Sequence, residues 1–201
     1  MRMIIKLLCL CFFFFSCKDS TGYDDSGSSF FELYCEEESI EMWGMYFAKE
    51  SNSIIINNQN LSGKIPKQIG CFQDLVTLSL SLNNLEGQIP IEIKHLTKLE
   101  NLYLSYNQLN GEIPDELYDL TSLKILHLNH NEFIGELSMD FQNFSLNRLN
   151  IDNNFFTGQI PSNICIINVY SISNNNFCPP YLICDGAPIT TENEQDISSC
   201  P

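Results

Sequence analysis

Short stretches of alternating apolar and polar residues recur along most of the chain. In one of them, Ser79 separates Leu78 from Leu80, which is the period of a β-strand with one buried face. The same spacing of apolar residues returns at Ile54/Ile56, Leu102/Leu104, Leu126/Leu128, Leu149/Ile151 and Tyr170/Ile172. Strands this short bury too little surface to be stable alone. The pattern therefore predicts that successive copies stack into one parallel sheet.

Each alternating stretch is followed by a similar run of turn-forming residues. The runs read NQNLSGKIP (58–66), LNNLEGQIP (82–90), YNQLNGEIP (106–114), HNEFIGELS (130–138) and NNFFTGQIP (153–161), and a shortened copy, YSISNNNF, covers 170–177. The first four glycines are 24 residues apart and the fifth follows after 23. Such a period with this leucine spacing predicts an α/β repeat solenoid. A short parallel sheet should line its concave face, with 3-10 or irregular structure on the convex side.

The full unit, LxxLxxLxLxxNxLxGxIPxxI, resembles the plant-type leucine-rich repeat, which is also found in bacterial surface proteins. The resemblance covers about residues 51–184, and we place about six coils in 51–177. It implies that the concave sheet is the binding surface, as is usual in solenoids.

One asparagine follows each strand by three residues. These asparagines are Asn83, Asn107, Asn131, Asn154 and Asn175. An inward amide at such a turn can bond the backbone of its own coil and of the neighbouring coil, so we expect a structural ladder. The first copy has Gln59 instead. Ser138 replaces the repeat proline in the fourth copy, and the unit after it is one residue short, which predicts an irregularity near 138–146.

The N-terminus has the features of an export signal. Residues 1–16 combine a basic start with a ten-residue apolar core, which is too short to span a bilayer. Ser16-Cys17 resembles a bacterial lipoprotein box, and Lys18-Asp19 resembles the export tag of Bacteroidetes surface lipoproteins. The resemblance implies a lipid on Cys17 and an outer-membrane or cell-surface location. An ordinary secretory signal is the alternative. Residues 17–34 are expected to form a flexible tether.

Both ends of a solenoid need caps. Residues 35–50 contain Trp43, Met45, Tyr46 and Phe47, which could cover the first coil. The segments NNNFCPPYLIC (174–184) and EQDISSC (194–200) resemble the cysteine-bearing C-terminal cap of bacterial members of the family, and we place this cap at 178–201. Cys9 and Cys11 would be removed with the signal, and Cys17 would carry the lipid, which leaves six cysteines. Export implies an oxidising compartment, so these six are candidates for three disulfides. We prefer Cys35–Cys71, Cys178–Cys184 and Cys165–Cys200, although fifteen connectivities are open.

Charge and motifs exclude several functions. The 25 acidic and 10 basic residues give a net charge of −15, which opposes binding to nucleic acid and to anionic membranes. The only expected membrane attachment is the lipid anchor. No nucleotide loop, nucleophile elbow or metal-binding helix motif occurs. His127 and His130 could together hold a metal, but solvated histidines are much commoner. We therefore predict no metal, no cofactor and no enzymatic activity.

The outward strand positions supply candidate binding residues. Tyr103, Tyr106, His127 and His130 should form an aromatic and imidazole patch on coils three and four. Tyrosine contributes contact area and a hydrogen bond at low entropic cost, which suits an interface. The predicted contact set also includes the neighbouring outward residues Asn101, Asn129, Arg148, Asn150 and Asp152.

The sequence thus predicts a monomeric cell-surface recognition or adhesion module whose concave face binds a protein or glycan. Two alternatives stay open. One is a structural spacer without a dedicated ligand. The other is a secreted eukaryotic binding protein of the plant type, in which the sequons beginning at Asn60 and Asn143 would carry glycans.

Overall fold

Six short parallel strands form the concave sheet, one from each coil. The computed structural model describes residues 35–184, 186–191, 194–198 and 200. The concave strands are β3 (Ser53–Ile55), β5 (Thr77–Ser79), β7 (Asn101–Tyr103), β9 (Ile125–His127), β11 (Arg148–Asn150) and β13 (Val169–Ser171). Each pairs in parallel with the strand of the next coil. The predictions for the signal, Cys17 and the tether fall outside the described residues.

The strands pair in the register that the repeat imposes. Leu78 lies opposite Leu102, which lies opposite Leu126. Their side chains are buried together with most of the repeat leucines and isoleucines. Towards the C-terminus the core becomes aromatic, because Phe133, Phe156 and Phe177 stack at centroid distances of 6.1 and 6.3 Å. The predicted solenoid architecture is confirmed.

A second parallel sheet, which the sequence pattern does not predict, runs beside the first. Its strands are β4 (Ser62–Gly63), β6 (Asn84–Gly87), β8 (Gln108–Gly111), β10 (Glu132–Glu136) and β12 (Phe155–Thr157). The repeat glycines lie in these strands or next to them at φ values between +73° and +84°. Glycine is favoured there because a side chain disfavours the left-handed conformation. The sheet therefore comes from the turn-forming run itself.

The convex side consists of single helical turns. These are 3-10 helices at Lys67–Cys71, Ile91–His95, Met139–Asn143 and Ser162–Ile166, and a short α-helix, α1 (Asp115–Tyr118). Each turn follows a repeat proline or Ser138 in extended backbone, for example Pro90 at φ −69° and ψ 142°. Proline fits because its ring fixes φ near this value. Among the described residues, no helix is long and apolar enough to cross a membrane.

The repeat asparagines point inward and join neighbouring coils. Asn131 Nδ2 donates to Leu104 O of the preceding coil and to Leu128 O of its own, both at 2.9 Å. Its Oδ1 accepts from the backbone N–H of Leu109 at 3.0 Å. The other four asparagines make equivalent bonds. Gln59 instead donates to the carbonyls of Asn57 and Asn58 within its own turn.

A β-hairpin covers the first coil. Strands β1 (Ser39–Met42) and β2 (Met45–Ala48) are antiparallel, and Ile40 and Met42 enter the core. Trp43, Met45 and Phe47 pack against the core as expected. The expectation for Tyr46 was wrong: 71% of it is exposed, because it lies on the outward face of β2. The expected Cys35–Cys71 disulfide fixes the hairpin to the first convex turn.

The C-terminal disulfides differ from the preferred pairing. Cys165 bonds Cys184 and Cys178 bonds Cys200, so the expected Cys178–Cys184 and Cys165–Cys200 pairs are wrong. The tail runs beside the last coil, where Asn174 N–H donates to Glu194 O, and this path brings Cys200 to Cys178. The hairpin of β14 (Ile183–Cys184) and β15 (Ala187–Pro188) brings Cys184 to the Cys165 turn instead.

A glutamine closes the asparagine ladder at this end. Gln195 Oε1 accepts from the backbone N–H of Asn175 at 3.2 Å, and its Nε2 donates to Ile172 O at 3.2 Å. Gln195 is buried although it lies in the tail. It therefore supplies the bonds that a sixth repeat asparagine would otherwise make.

Candidate functional site

Tyr103 and His127 occupy the centre of the concave sheet. They are register partners on β7 and β9, and both side chains are half-buried. Their rings meet edge to face, with centroids 5.1 Å apart and an interplanar angle of 88°. This arrangement is one that aromatic rings prefer. The strand alternation placed both side chains outward, and the structure brings them together.

Tyr106 and His130 form a second ring pair at the edge of the same face. Each follows its strand by three residues and has left-handed backbone, with φ of +57° and +55°. Their rings are stacked, with centroids 4.2 Å apart and an interplanar angle of 14°. Tyr106 is 48% exposed. We call these four rings, which come from two adjacent coils, the patch.

Acidic and amide groups from coil five extend the patch. His130 Nε2 lies 3.8 Å from Asp152 Oδ2 and 3.3 Å from Asn153 Nδ2. Asn153 Nδ2 also donates to Asp152 Oδ2 at 2.5 Å, and Asn153 Oδ1 accepts from Asn174 Nδ2 at 3.1 Å. Asp152, a predicted contact residue, thus lies beside the patch, and so does Asn153, which was not among the predicted contacts.

The other predicted contacts surround the rings. Asn150 is the register partner of His127, and its Oδ1 is buried with no hydrogen-bond partner among the described residues. Arg148, on the same strand, is exposed. Asn101 lies on β7, two residues before Tyr103, and its Nδ2 donates to Thr77 Oγ1 at 3.1 Å.

Asn129 does not belong to the exposed surface, so that prediction was wrong. Only 6% of it is accessible, and its Oδ1 accepts a bond from Ser105 Oγ at 2.5 Å. Asn57 Oδ1 also accepts from a serine of an adjacent coil, Ser79 Oγ, at 2.8 Å. Both amide side chains therefore bond an adjacent coil, and Asn129 does so while buried. Alternation fixed the direction of Asn129 but not its burial.

The concave face carries little charge. In each coil this face presents the first and third residues of the concave strand and the residues two and three positions after it. At these positions in the six coils, only Arg148 and Asp152 are formally charged, although the chain as a whole carries −15. Burial lowers the pKa of His127 from its usual value, and the Arg148 guanidinium lowers it further, while Asp152 acts in the opposite direction. Neutral His127 is therefore favoured at neutral pH.

The face also exposes apolar side chains that the sequence reasoning did not select. Leu82, next to Tyr106 in the adjacent coil, is 53% exposed, and Ile55 is 64% exposed. Both residues lie at outward positions that recur in every repeat. An apolar residue at such a position is the sequence signal that could have identified them. Within the described residues, no three His, Cys, Asp or Glu side chains group closely enough to hold a metal ion.

Family comparisons identify the repeats. A model described as leucine-rich repeats in two copies matches residues 97–143, and a single leucine-rich repeat model matches 74–96 and 145–166. A search of curated proteins finds no significant match. Together, the repeat matches cover coils in the middle and C-terminal parts of the solenoid.

Three solved structures show the same fold. The ectodomain of the Arabidopsis thaliana receptor kinase SOBIR1 is 31% identical, with a TM-score of 0.60, over 67% of this chain and 75% of that one. The ectodomain of the A. thaliana receptor kinase GASSHO1/SCHENGEN3, in complex with CASPARIAN STRIP INTEGRITY FACTOR 2, is 28% identical over 64% of this chain, with a TM-score of 0.61. The plant peptide hormone receptor RGFR1, in complex with RGF2, is 33% identical over 58%, with a TM-score of 0.55.

This chain spans 16% of the GASSHO1/SCHENGEN3 chain and 19% of the RGFR1 chain. Its disulfides and its similarity to receptor ectodomains indicate an exported protein. The repeat matches, the coil geometry and the similarity to SOBIR1 all indicate leucine-rich repeats. The chain belongs to the leucine-rich repeat family.

Proposed function

We propose that the chain is a non-enzymatic recognition module that binds a peptide segment of another protein on its concave face. The observation that carries this proposal is the patch of four rings, Tyr103, His127, Tyr106 and His130, on a sheet with little charge. Aromatic groups near the centre of an interface commonly contribute most of its binding energy. Arg148 and Asp152 would orient the bound segment.

Two observations favour a peptide. The first is the size of the sheet: six strands about 4.8 Å apart span about 24 Å, which matches about seven residues of extended peptide. The second is that two similar ectodomains, GASSHO1/SCHENGEN3 and RGFR1, were solved with CASPARIAN STRIP INTEGRITY FACTOR 2 and RGF2. A glycan is the competing ligand class, because exposed rings and amides also suit sugars.

Binding would be tested with the full chain purified in detergent. The probes are a phage-displayed library of random linear 12-residue peptides and a glycan array. Tyr103→Ala and His127→Ala should each lower the affinity for the selected peptides roughly thirty-fold. Tyr46→Ala is the matched control, because Tyr46 is an exposed aromatic residue away from the sheet.

Each outcome has a separate meaning. Glycan binding that requires Tyr103 would keep the site and change the ligand class. Equal losses for Tyr46→Ala would mean that the patch is not the contact centre. No binding to either probe set would overturn the proposal and favour a structural spacer.

The cellular context forms a second part of the proposal. Export would place the module outside the cell, and a lipid on Cys17 would hold it at the surface. Cys17→Ala should release the protein from the membrane fraction and abolish labelling with palmitate, whereas the matched variant Cys9→Ala should do neither. If Cys17→Ala stays in the membrane without label, the apolar segment itself is the anchor.

A further inference from the structure

The six residues that follow the concave strands share a left-handed backbone. They are Asn58, Leu82, Tyr106, His130, Asn153 and Asn174, with φ between +54° and +61°. Residues with a Cβ are disfavoured in this region, and asparagine is among the few that adopt it readily. Three of the six coils use asparagine. Leucine and tyrosine at this position are therefore exceptions to the local preference.

The core of the solenoid does not use these two side chains. Leu82 is 53% exposed and Tyr106 is 48% exposed, so neither fills the core. The bonds made at these positions, Leu82 N–H to Ser105 O at 2.9 Å and Tyr106 N–H to Asn129 O at 3.0 Å, use only the backbone. Asparagine would keep both bonds. Strained residues that packing does not explain are concentrated at ligand-binding sites.

The exceptional residues are adjacent. Leu82 and Tyr106 occupy equivalent positions in neighbouring coils, and Tyr106 stacks on His130. We call Leu82, Tyr106 and His130 the left-handed ridge. It runs along one edge of the concave sheet, beside Tyr103 and His127. Its Leu82 end is apolar, and its His130 end faces Asp152.

We infer that the left-handed ridge holds an apolar side chain of the bound peptide, with Leu82 as a contact residue. This inference rests on the proposed function. The occupant is an extended segment with an aliphatic or aromatic residue and little net charge. An uncharged segment suits a face with one Arg and one Asp, because a strongly basic or acidic ligand would leave most of its charges unpaired there.

The inference predicts opposite effects on stability and binding. Leu82→Asn should raise Tm by about 2–4 °C, because asparagine relieves the left-handed strain. Tyr106→Asn should raise it less, because this variant also loses the stacking of Tyr106 on His130. Each should also weaken binding of the 12-residue peptides selected on the wild-type chain, by roughly ten-fold or more. A residue with a purely structural role would not show this combination.

Asn174→Leu provides the matched control for strain. Asn174 is exposed, has φ of +54° and lies in the sixth coil, separated from His130 by the coil of Asn153. Its side chain donates to Asn153 Oδ1 at 3.1 Å, and the loss of that bond adds to the strain. This variant should lower Tm by about 2–4 °C and leave peptide binding unchanged. The full chain in detergent is used throughout, and Tm is followed by circular dichroism.

The results separate the two proposals. If Leu82→Asn leaves the affinity unchanged while Tyr103→Ala reduces it, the ridge inference fails and the proposed function stands. If Leu82→Asn and Tyr106→Asn both lower Tm, the strain argument fails. If the library yields no binding peptides, the proposed function fails, and the inference that rests on it fails with it.

Discussion

The hydroxyl of Tyr118 accepts a hydrogen bond, 3.3 Å long, from the backbone N–H of Ser138. Four other coils have proline at the position of Ser138 and so have no N–H there. Tyr118 is 2% exposed and packs against Phe141 and Phe144. Burial raises the pKa of its phenol to about 12, while the hydrogen bond from Ser138 acts in the opposite direction. The tyrosine and the serine therefore form a matched pair.

The first prediction concerns this pair. Tyr118→Phe should lower the free energy of unfolding by about 1 kcal/mol, because it leaves the Ser138 N–H without its acceptor. Ser138→Pro should also destabilise, since it removes the N–H and the cap bond that Ser138 Oγ accepts from Asp140 N–H. Each single variant loses the same Tyr118–Ser138 hydrogen bond, and the double variant loses it only once. The double variant should therefore lose about 0.5–1 kcal/mol less free energy of unfolding than the two single variants added together. Urea denaturation measures all three, and strict additivity would contradict the pairing.

The second prediction concerns the asparagine ladder. Asn131→Ala should lower the free energy of unfolding by about 2–4 kcal/mol, because it strands the Leu109 N–H and weakens two carbonyl contacts in the core. Asn84→Ala is the control, since Asn84 is exposed on β6. It should change stability by less than about 0.5 kcal/mol. An equal denaturation midpoint for Asn131→Ala and the wild type would exclude a structural role for the ladder.

The third prediction concerns pH. The pKa of His127 is lowered in the folded protein, so the unfolded chain takes up a proton first as the pH falls. The free energy of unfolding should therefore be highest above the ordinary value of 6.5, fall as the pH drops below it, and level off below the folded pKa. His127→Gln should make the loss of stability between about pH 7.5 and pH 5 smaller.

Part of this pH dependence should remain in His127→Gln. The pKa of His95, on the convex side, is also lowered, by burial and by Lys94. The matched variant His95→Gln separates the two contributions in denaturation curves recorded across the pH range. If the wild-type free energy of unfolding increases as the pH falls from about 7.5 to 5, the lowered pKa values of both histidines would be contradicted.

The fourth prediction concerns the C-terminal disulfides. Peptide mapping without reduction should recover Cys165 linked to Cys184 and Cys178 linked to Cys200. The double variant Cys178→Ser/Cys200→Ser should lower the free energy of unfolding by about 3 kcal/mol, because a bond closing a 22-residue separation restricts the unfolded chain. A recovered Cys178–Cys184 peptide would support the pairing preferred from sequence.

The repeat made much of the fold predictable. The strands, the inward leucines and the ladder asparagines each recur with a fixed period, so one coil constrains the next. The second sheet carried no comparable signal, because strands such as Asn84–Gly87 contain one buried residue, Leu85, among turn-forming neighbours. The cysteine pairing depended on the path of the tail beside Asn174, which is not periodic and which loop length does not determine.

The direction of the side chains in the candidate site was predictable from the sequence, but their burial and backbone conformation were not. Alternation placed Tyr103 and His127 on one face, and the 24-residue period made them neighbours. It could not show that Ser105 engages Asn129 and buries it. It also gave no reason to select Leu82, whose significance depends on a φ of +61° that leucine rarely adopts.

The asparagine ladder has a direction. Asn83, Asn107 and Asn131 each bond the coil before their own, and none of these side-chain bonds reaches forward. A coil is therefore completed only by the coil that follows it in sequence. During synthesis, in which the N-terminal part leaves the ribosome first, every coil must wait about 24 residues for its backbone partners. The last coil waits for Gln195, so the solenoid is closed only after the segment that follows its sixth coil has been made.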